Sequence, residues 1–168
     1  MKIFITGCCG FIGFNFANFL AKTNKKIHVV GIDNFSDYYS VSYKKKRLKE
    51  LVQNRNFKFY KIDINQNKKL IKLYKKYHFN YVFHFAAQAG VRYSVENPKA
   101  YFESNLAGFF NILEVARLNK INHFIFEINV GKSRIRHITT LNLNEISSID
   151  FSLVVFFLAI IKIRVCSK

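Results

Sequence analysis

The sequence predicts an α/β fold, in which a doubly wound parallel sheet carries helices on both faces. Three observations lead to this prediction. Short apolar runs alternate with longer amphipathic segments along the first three quarters of the chain. The apolar runs are nearly continuous, which is typical of strands buried on both faces. Gly7, Gly10 and Gly13 directly follow the first run, where a parallel α/β fold needs a tight strand-to-helix turn.

The first half of the chain predicts three strands, each followed by a helix. In chain order, these elements cover residues 2–6, 11–22, 27–32, 41–52, 57–64 and 68–77. Apolar positions at helical spacing predict the buried faces of two helices: Ile12, Phe16, Phe19 and Leu20 in the first, and Leu70, Leu73 and Tyr77 in the third. The right-handed crossover rule then places the helices on both sides of the sheet.

The second half predicts two more strands and one long helix. The strands cover residues 81–86 and 123–126, and the helix begins at Pro98 and runs to about residue 119. Its apolar positions are Leu106, Phe109, Phe110, Leu113 and Val115. Residues 151–161 form a further apolar run, which is shorter than the roughly 20 residues of a membrane span. A strand at the sheet edge, a helix, or sequence never selected to fold are the alternatives for this run.

The glycine loop has the composition of a phosphate-binding turn. Its glycines allow a tight turn and a close approach of the backbone to a pyrophosphate, and the next helix presents the positive end of its dipole. Asp33 lies 20 residues after Gly13, where a carboxylate accepts hydrogen bonds from a ribose 2′-hydroxyl. A carboxylate repels a 2′-phosphate, and Asn34 stands where an NADP-binding chain would carry an arginine. The pattern therefore favours NAD over NADP.

The charge balance is strongly basic. The net charge is +17, from 27 Lys and Arg against 10 Asp and Glu, which raises the question of a nucleic-acid or membrane partner. The lysines recur in several predicted surface segments, at 25–26, 44–46, 68–69 and 75–76. We therefore expect a solvated basic surface, with no nucleic-acid partner and no membrane span. The alternative is a protein that associates with membranes or nucleic acid through this charge and the apolar tail.

The three cysteines do not form a disulfide framework. Cys8 and Cys9 are adjacent inside the glycine loop, and Cys166 lies near the end. This odd count indicates a reducing compartment, and no signal peptide precedes the first strand. We expect a cytoplasmic protein in which Cys8 and Cys9 are small packed side chains, with a redox role as the alternative. The five histidines lack metal-ligand spacing, so no metal site is predicted.

Longer stretches resemble a known family. The stretch "ITGCCGFIG" resembles the Thr-Gly-x-x-Gly-Phe-Ile-Gly signature of the extended short-chain dehydrogenase/reductase family, which includes NAD-dependent epimerases and dehydratases of nucleotide sugars. The stretches "GIDNFSDYYSVSYKKKRL", "HFAAQAGVRYSVENPKAY" and "SNLAGFFNILEVAR" are similar to UDP-glucuronate 4-epimerases. The resemblance covers residues 1 to about 126 and implies a Rossmann fold, NAD as the cofactor and a nucleotide-sugar substrate.

The resemblance also implies roles for individual residues. The pyrophosphate loop would consist of Gly7, Gly10, Phe11, Ile12 and Gly13. The other implied cofactor contacts follow later strands or lie in the long helix: Asp33 and Asn34 at the adenosine ribose, Asp63 and Ile64 beside the adenine, Ala86, Ala87 and Gln88 along the cofactor, and Asn105 near the nicotinamide. Arg92 is an implied contact to the anionic substrate, with a surface or capping role as the alternative.

The catalytic pair of the family has no counterpart here. In the family, a tyrosine transfers the proton, and a lysine one helical turn later lowers the tyrosine pKa. A Ser or Thr after the fifth strand assists, but Glu127, Ile128 and Asn129 stand where such residues would begin. The last tyrosine is Tyr101, and no tyrosine has a lysine four positions later. We therefore predict no catalytic residue in this chain.

These observations divide the chain into an NAD-binding Rossmann domain at 1–127 and a divergent tail at 128–168, without the C-terminal substrate lobe. A disrupted gene or reading frame accounts for the change, and a half-enzyme completed by another chain is the alternative. The predicted function is the cofactor-binding part of a UDP-glucuronate 4-epimerase-like protein that is inactive alone; the alternative is a non-catalytic NAD(H)-binding module. An incomplete sheet would leave the fifth strand unpaired, so self-association is expected.

Overall fold

The computed structural model describes residues 1–129 and 136–142. Their six strands form one sheet in the order β3-β2-β1-β4-β5-β6. The strands are β1 (Lys2–Thr6), β2 (His28–Asp33), β3 (Phe57–Lys61), β4 (Tyr81–His84), β5 (His123–Asn129) and β6 (Arg136–Asn142). The first five are parallel, and the strand order reverses at β1. The predicted doubly wound parallel sheet is therefore confirmed, and its switch point lies between β1 and β4.

Six α-helices and one π-helical segment connect these strands. The helices are α1 (Phe11–Thr23), α2 (Val41–Leu51), α3 (Asn67–Tyr77), α4 (Val91–Glu96), α5 (Pro98–Tyr101) and α6 (Phe109–Leu118). The π-helical segment, Phe102–Gly108, joins α5 to α6, so the predicted long helix has a wider turn in its middle. Helix α4 was not predicted. None of the helices in the described part of the chain has the length and apolar character needed to cross a membrane.

Two buried clusters lie on opposite faces of the sheet. On β1, Ile3 and Ile5 point into one cluster, while Phe4 points into the other, as the period of two in a strand requires. The first cluster packs the sheet against α1 and α2 and includes Ala17, Ala21 and Leu51. The second packs it against α3 and α6 and includes Leu70, Leu73, Tyr74, Ile112 and Leu113.

The predicted buried face of α1 is only partly right, because Phe16 and Leu20 pack against the first cluster but Ile12 and Phe19 do not. The buried residues of this helix are Gly13, Ala17 and Ala21, whereas Phe19 is 62% exposed and Ile12 is 37% exposed. These small residues recur every fourth position and let the helix lie close to the glycine loop and the sheet. A Cβ at Gly13 would clash with the Gly7 carbonyl oxygen. The helix is therefore positioned by its smallest side chains rather than by its largest.

The expectation of an unpaired edge at β5 is wrong. Strand β6 pairs with β5 in antiparallel register, from His123 opposite Asn142 to Asn129 opposite Arg136. The β6 sequence, RHITTLN, places its apolar residues three positions apart, so it lacks the period of two that predicts a strand. The apolar run at 151–161 lies outside the described residues. Self-association stays a prediction.

Candidate functional site

The glycine loop occupies the carboxyl edge of the sheet at the switch point. Gly7 has φ +66°, and a Cβ at this position would lie 2.8 Å from the Ala86 nitrogen, on the segment after β4. The Gly10 N–H donates to the Gly7 carbonyl over 3.0 Å, which closes the turn. The structure therefore brings the predicted residues Gly7, Gly10, Gly13 and Ala86 together, and main-chain contact explains the need for glycine at position 7.

The first turn of α1 has neither a side-chain cap nor an acidic residue of its own. The helix begins at Phe11 after the N-cap Gly10. Phe11 is 72% exposed. Because the first N–H groups of a helix lack partners within the helix, this end carries partial positive charge that suits an anion. The predicted positions Phe11 and Ile12 thus lie where a phosphate would be held.

Asp33 lies directly beside this loop at the end of β2. Its side chain is buried; Oδ2 accepts the Cys9 N–H over 3.1 Å, and Oδ1 accepts the Phe35 N–H over 2.8 Å. A carboxylate has about four lone-pair sites, so these two bonds leave acceptor capacity for a hydroxyl group. The predicted ribose-binding carboxylate and the glycine loop are therefore joined by a direct hydrogen bond.

Lys44 contradicts the expectation that residues 44–46 are all solvated lysines. This side chain is buried, and its Nζ lies 3.9 Å from Asp33 Oδ1. The ammonium also donates to the Ser36 carbonyl and hydroxyl, over 2.9 and 3.2 Å. The signal was present in the sequence, because Lys44 shares helical spacing with Leu48 and Leu51 on the inward face of α2.

The ends of β2 and β3 are linked by their predicted polar residues. Asn34 Nδ2 donates to Asp63 Oδ2 over 2.7 Å, and Asp63 Oδ1 accepts the Asn65 N–H over 2.8 Å. Ile64 is buried next to the π-helical segment, where a Cβ at Gly108 would clash with it. Asn34, Asp63 and Ile64 therefore form one wall beside the Asp33 carboxylate.

A buried threonine–histidine pair joins β1 to β4, and sequence reasoning missed it. Thr6 Oγ1 lies 2.8 Å from His84 Nδ1. The same hydroxyl oxygen accepts the N–H groups of Phe85 and Ala86, over 3.2 and 3.1 Å. Burial lowers the pKa of His84 to about 4. These bonds end β4 at His84, two residues before the predicted end, and they hold the segment that faces Gly7.

Asn105 holds the next part of that segment. Its Oδ1 accepts the Gln88 N–H over 2.7 Å, and its Nδ2 donates to the Gln88 carbonyl over 2.9 Å. Asn105 lies in the π-helical segment, so the widened turn and the chain after β4 are fixed to each other. Ala87, between Ala86 and Gln88, is exposed at this edge. The structure thus places Asn105 beside the predicted cofactor contacts.

Tyrosines connect the loop after β2 to the segment after β4. The Tyr38 ring lies 4.8 Å from that of Tyr93, and a Cβ at Gly90, which has φ +94°, would clash with the Tyr38 hydroxyl. Burial, followed by the nearby Tyr38 and Tyr39, raises the pKa of Tyr101. A phenol with a raised pKa is a poor proton acceptor at neutral pH. None of these tyrosines has a lysine four positions later.

The structure also places a tyrosine hydroxyl within hydrogen-bond distance of a lysine, at the edge of the sheet. The hydroxyl oxygen of Tyr60, on β3, lies 2.6 Å from that of Tyr77, and Lys76 Nζ donates to the same Tyr60 oxygen over 3.2 Å. The hydrogen bond from Tyr77, and then the one from Lys76, lower the pKa of Tyr60, although burial opposes them. Strand β3 is two strands from β1, so this pair lies away from the glycine loop.

Arg92 lies on the short helix α4. Its side chain is 96% exposed, and its Nε is 3.7 Å from Glu96 Oε1, one turn along the helix. This geometry fits the surface role that the sequence left open. Within residues 1–129 and 136–142, no group of three or more His, Cys, Asp or Glu side chains could hold a metal ion.

A family model described as GDP-mannose 4,6 dehydratase matches residues 4–140, which include every predicted cofactor contact. The chain belongs to this family. The match agrees with the resemblance of "ITGCCGFIG" and the later stretches to nucleotide-sugar epimerases and dehydratases.

Relatives in this family include UDP-glucuronate 4-epimerases. The chain is 45% identical over 113 residues to UDP-glucuronate 4-epimerase of Thermodesulfobacterium geofontis, covering 67% of this chain and 34% of that protein. It is 45% identical over 126 residues to Protein CapI of Staphylococcus aureus, covering 75% of this chain and 37% of that protein. The chain therefore spans little more than a third of the length of these relatives.

A solved structure in the family has the same fold. UDP-glucuronic acid 4-epimerase from Bacillus cereus, in complex with UDP-glucuronic acid and NAD, aligns with a TM-score of 0.71 and 28% identity. The alignment covers 94% of this chain and 52% of that one. The same enzyme in complex with NAD aligns with a TM-score of 0.65 and 32% identity, over 75% of this chain and 38% of the other.

Proposed function

We propose that this chain is the NAD-binding part of a nucleotide-sugar epimerase of the UDP-glucuronate 4-epimerase type. One observation carries the proposal: the Asp33 carboxylate accepts the Cys9 N–H of the glycine loop over 3.1 Å. A pyrophosphate-binding turn and a ribose-binding carboxylate must be neighbours if one dinucleotide is to contact both. The NAD complexes of the Bacillus cereus epimerase support the choice of ligand.

The residues present fit this cofactor. The glycine loop and the uncapped start of α1 would hold the pyrophosphate through Gly7, Gly10, Phe11, Ile12 and Gly13. The remaining contacts would be Asp33 and Asn34 at the ribose, Asp63 and Ile64 at the adenine, and Ala86, Ala87, Gln88 and Asn105 toward the nicotinamide. When bound, NAD supplies a hydride acceptor that can return the hydride to the sugar.

Catalysis by this chain alone is not part of the proposal. Its sequence has no tyrosine followed by lysine at the required spacing, and Tyr60, whose hydroxyl oxygen accepts a hydrogen bond from Lys76, lies on the outer strand β3. We infer that the chain binds NAD(H) without epimerising a sugar. The alternative is a half-enzyme, in which another chain supplies the tyrosine, the lysine and the sugar-binding lobe. We also propose that residues 1–127 form the binding domain. The same proposal includes a cytoplasmic location and self-association of the chain.

NADH fluorescence tests the binding part. The wild-type chain should bind NADH saturably, and Asp33→Asn should raise the Kd by about tenfold or more, because an amide replaces one acceptor oxygen with a donor. Asp37→Asn is the matched control, since it removes an exposed carboxylate from the same loop. An unchanged Kd in Asp33→Asn, with the control also unchanged, would show that the Asp33 carboxylate does not contribute to NADH binding.

An activity assay distinguishes an NAD(H)-binding chain that is inactive from a half-enzyme that another chain completes. We expect no C4 epimer when the purified chain is incubated with NAD and UDP-glucuronate and the sugar is followed by NMR. Epimer formed by the chain alone would contradict the proposed loss of catalysis while leaving NAD binding intact. Epimer formed only after a second protein is added would support the half-enzyme.

A further inference from the structure

Arg47 engages the glycine loop from α2. Its Nη1 donates to the Cys9 carbonyl oxygen over 3.1 Å. The Cys9 N–H is held by Asp33, so both main-chain groups of this loop residue are fixed by side chains from outside the loop. Nothing in the sequence patterns singled out Arg47, because it lies in a run of basic residues on an amphipathic helix.

The guanidinium group lies beside the first turn of α1. Its central carbon is 5.9 Å from the ring centroid of Phe11 and 6.0 Å from that of Phe14. Among the residues that the structure describes, the ion pairs involve other cations: Lys22, Lys44, Arg92, Lys99 and Arg117. The half-buried Arg47 therefore has two aromatic faces and one carbonyl as partners, but no carboxylate.

An anion bound at the glycine loop would make this position more favourable for an arginine, although the Asp33 carboxylate on the Cys9 N–H already offsets part of the positive charge. An arginine side chain stays charged at any physiological pH, and the start of a helix carries partial positive charge of its own. Helix α1 has no acidic residue in its first turn to offset either. Two positive groups are thus held together by packing and one hydrogen bond, and an anion at the glycine loop would stabilise both. Arginine has five N–H donors, of which the Cys9 contact uses one.

We propose that Arg47 is a positioning residue for the pyrophosphate: it fixes the Cys9 peptide and adds its charge to the field at the glycine loop. This inference rests on the proposed NAD binding. Two effects are combined here. The hydrogen bond to Cys9 sets the shape of the loop, and the charge attracts the phosphates over a longer range.

Substitutions at Arg47 separate charge from shape. In Arg47→Gln, the charge is removed while an amide N–H donor is kept on a shorter side chain. In Arg47→Lys, the charge remains without the planar fork. Arg55→Gln is the matched control, since it removes the same charge from an exposed position between α2 and β3, at the opposite edge of the sheet. NADH Kd is measured for each protein over a range of KCl concentrations, with thermal unfolding to check the fold.

We expect Arg47→Gln to raise the Kd by about tenfold at low salt and to reduce its salt dependence. Arg47→Lys should stay within about threefold of the wild type, because it keeps the charge. Equal Kd values and equal salt dependence in Arg47→Gln and Arg55→Gln would overturn the inference while the wild type still binds. If the wild type does not bind NADH, the proposed function fails, and this inference fails with it.

A measurement on the wild type covers the case in which Arg47→Gln does not fold. The Nε–H resonance of Arg47 should shift when NADH or inorganic pyrophosphate is added, and adenosine should leave it in place. An Arg47 resonance that does not move at saturating NADH would overturn the inference.

Discussion

At the scale of single residues, the hydrogen bonds around Thr6 determine which ring nitrogen of neutral His84 carries the hydrogen. The Thr6 oxygen accepts two main-chain N–H groups, so its own hydrogen is directed to His84 Nδ1. The neutral ring then carries its hydrogen on Nε2. Protonation at Nδ1 would place two hydrogens between the same pair of atoms and would charge a buried ring. Burial, which disfavours the charged ring, is the physical reason why the pKa of His84 falls to about 4.

His84 therefore makes stability depend on pH. An unfolded histidine has a pKa of about 6.5, so between pH 6.5 and pH 4 the unfolded chain binds a proton that the folded chain does not. The free energy of unfolding should fall by up to about 3 kcal/mol as the pH drops through this window. Urea unfolding between pH 7 and pH 5 measures the slope.

His84→Gln should flatten this dependence, and His28→Gln, which removes an exposed histidine, should not. Parallel slopes for the two variants would show that His84 does not control acid stability.

Sequence reasoning placed Gly7 and Asp33 in one site because they belong to a motif with fixed intervals. The structure brings the Asp33 carboxylate to the Cys9 N–H, two residues after Gly7. Sequence reasoning missed Thr6 and His84, which lie 78 positions apart and meet because β1 and β4 are neighbours in the sheet. A pairing of this kind depends on strand order, which spacing along the chain does not encode.

At the scale of elements, the π-helical segment is the feature that positions Asn105. A π-turn contains one residue more than an α-turn, so it changes which side chains face the sheet. Phe110, an apolar position of the predicted long helix, is 43% exposed after this segment. Asn105 makes two hydrogen bonds to the Gln88 main chain. The π-helical segment therefore carries a predicted site residue that holds the chain after β4.

Removal of these bonds should loosen the chain after β4 without unfolding the sheet. In Asn105→Ala, the Gln88 amide loses its acceptor, and its hydrogen exchange should become at least about tenfold faster. Exchange at Phe4 and Val30 in the central strands should stay unchanged. Ser104→Ala, a change at the adjacent position in the same segment, is the control. Full protection of the Gln88 amide in Asn105→Ala would show that another group holds this segment.

Other elements show why large apolar residues mislead at close helix–sheet contacts. Helix α1 fully buries Gly13, Ala17 and Ala21, whereas the spacing of large side chains located only Phe16 and Leu20 of its packed residues. Strand β6 lacks alternating apolar residues, yet it pairs along the whole of β5. In both cases close contact between main chains positions the element, and the pattern of large apolar residues predicts that contact poorly.

At the scale of the whole molecule, segments from both halves of the doubly wound sheet bound the candidate site at the carboxyl edge, which we call the crevice. The loop after β2 contributes Asp33 and Tyr38, and the segment after β4 contributes Ala86 and Gly90. Contacts of Tyr38 with Gly90 and Tyr93 join the two sides across the switch point. The net charge of +17 is distributed over this same scaffold, so salt will weaken any anion's binding to it. A specific site must therefore be recognised by its preference for one of two related anions, such as NAD over NADP.

Calorimetric titration with NAD and with NADP makes that comparison most directly. The crevice should bind one NAD per chain, and NADP should bind at least about tenfold more weakly, because the buried Asp33 carboxylate repels a 2′-phosphate. Binding driven only by basic surface charge would favour the more highly charged NADP. No heat from NAD in a folded sample, or NADP bound as tightly as NAD, would contradict the assignment of the crevice.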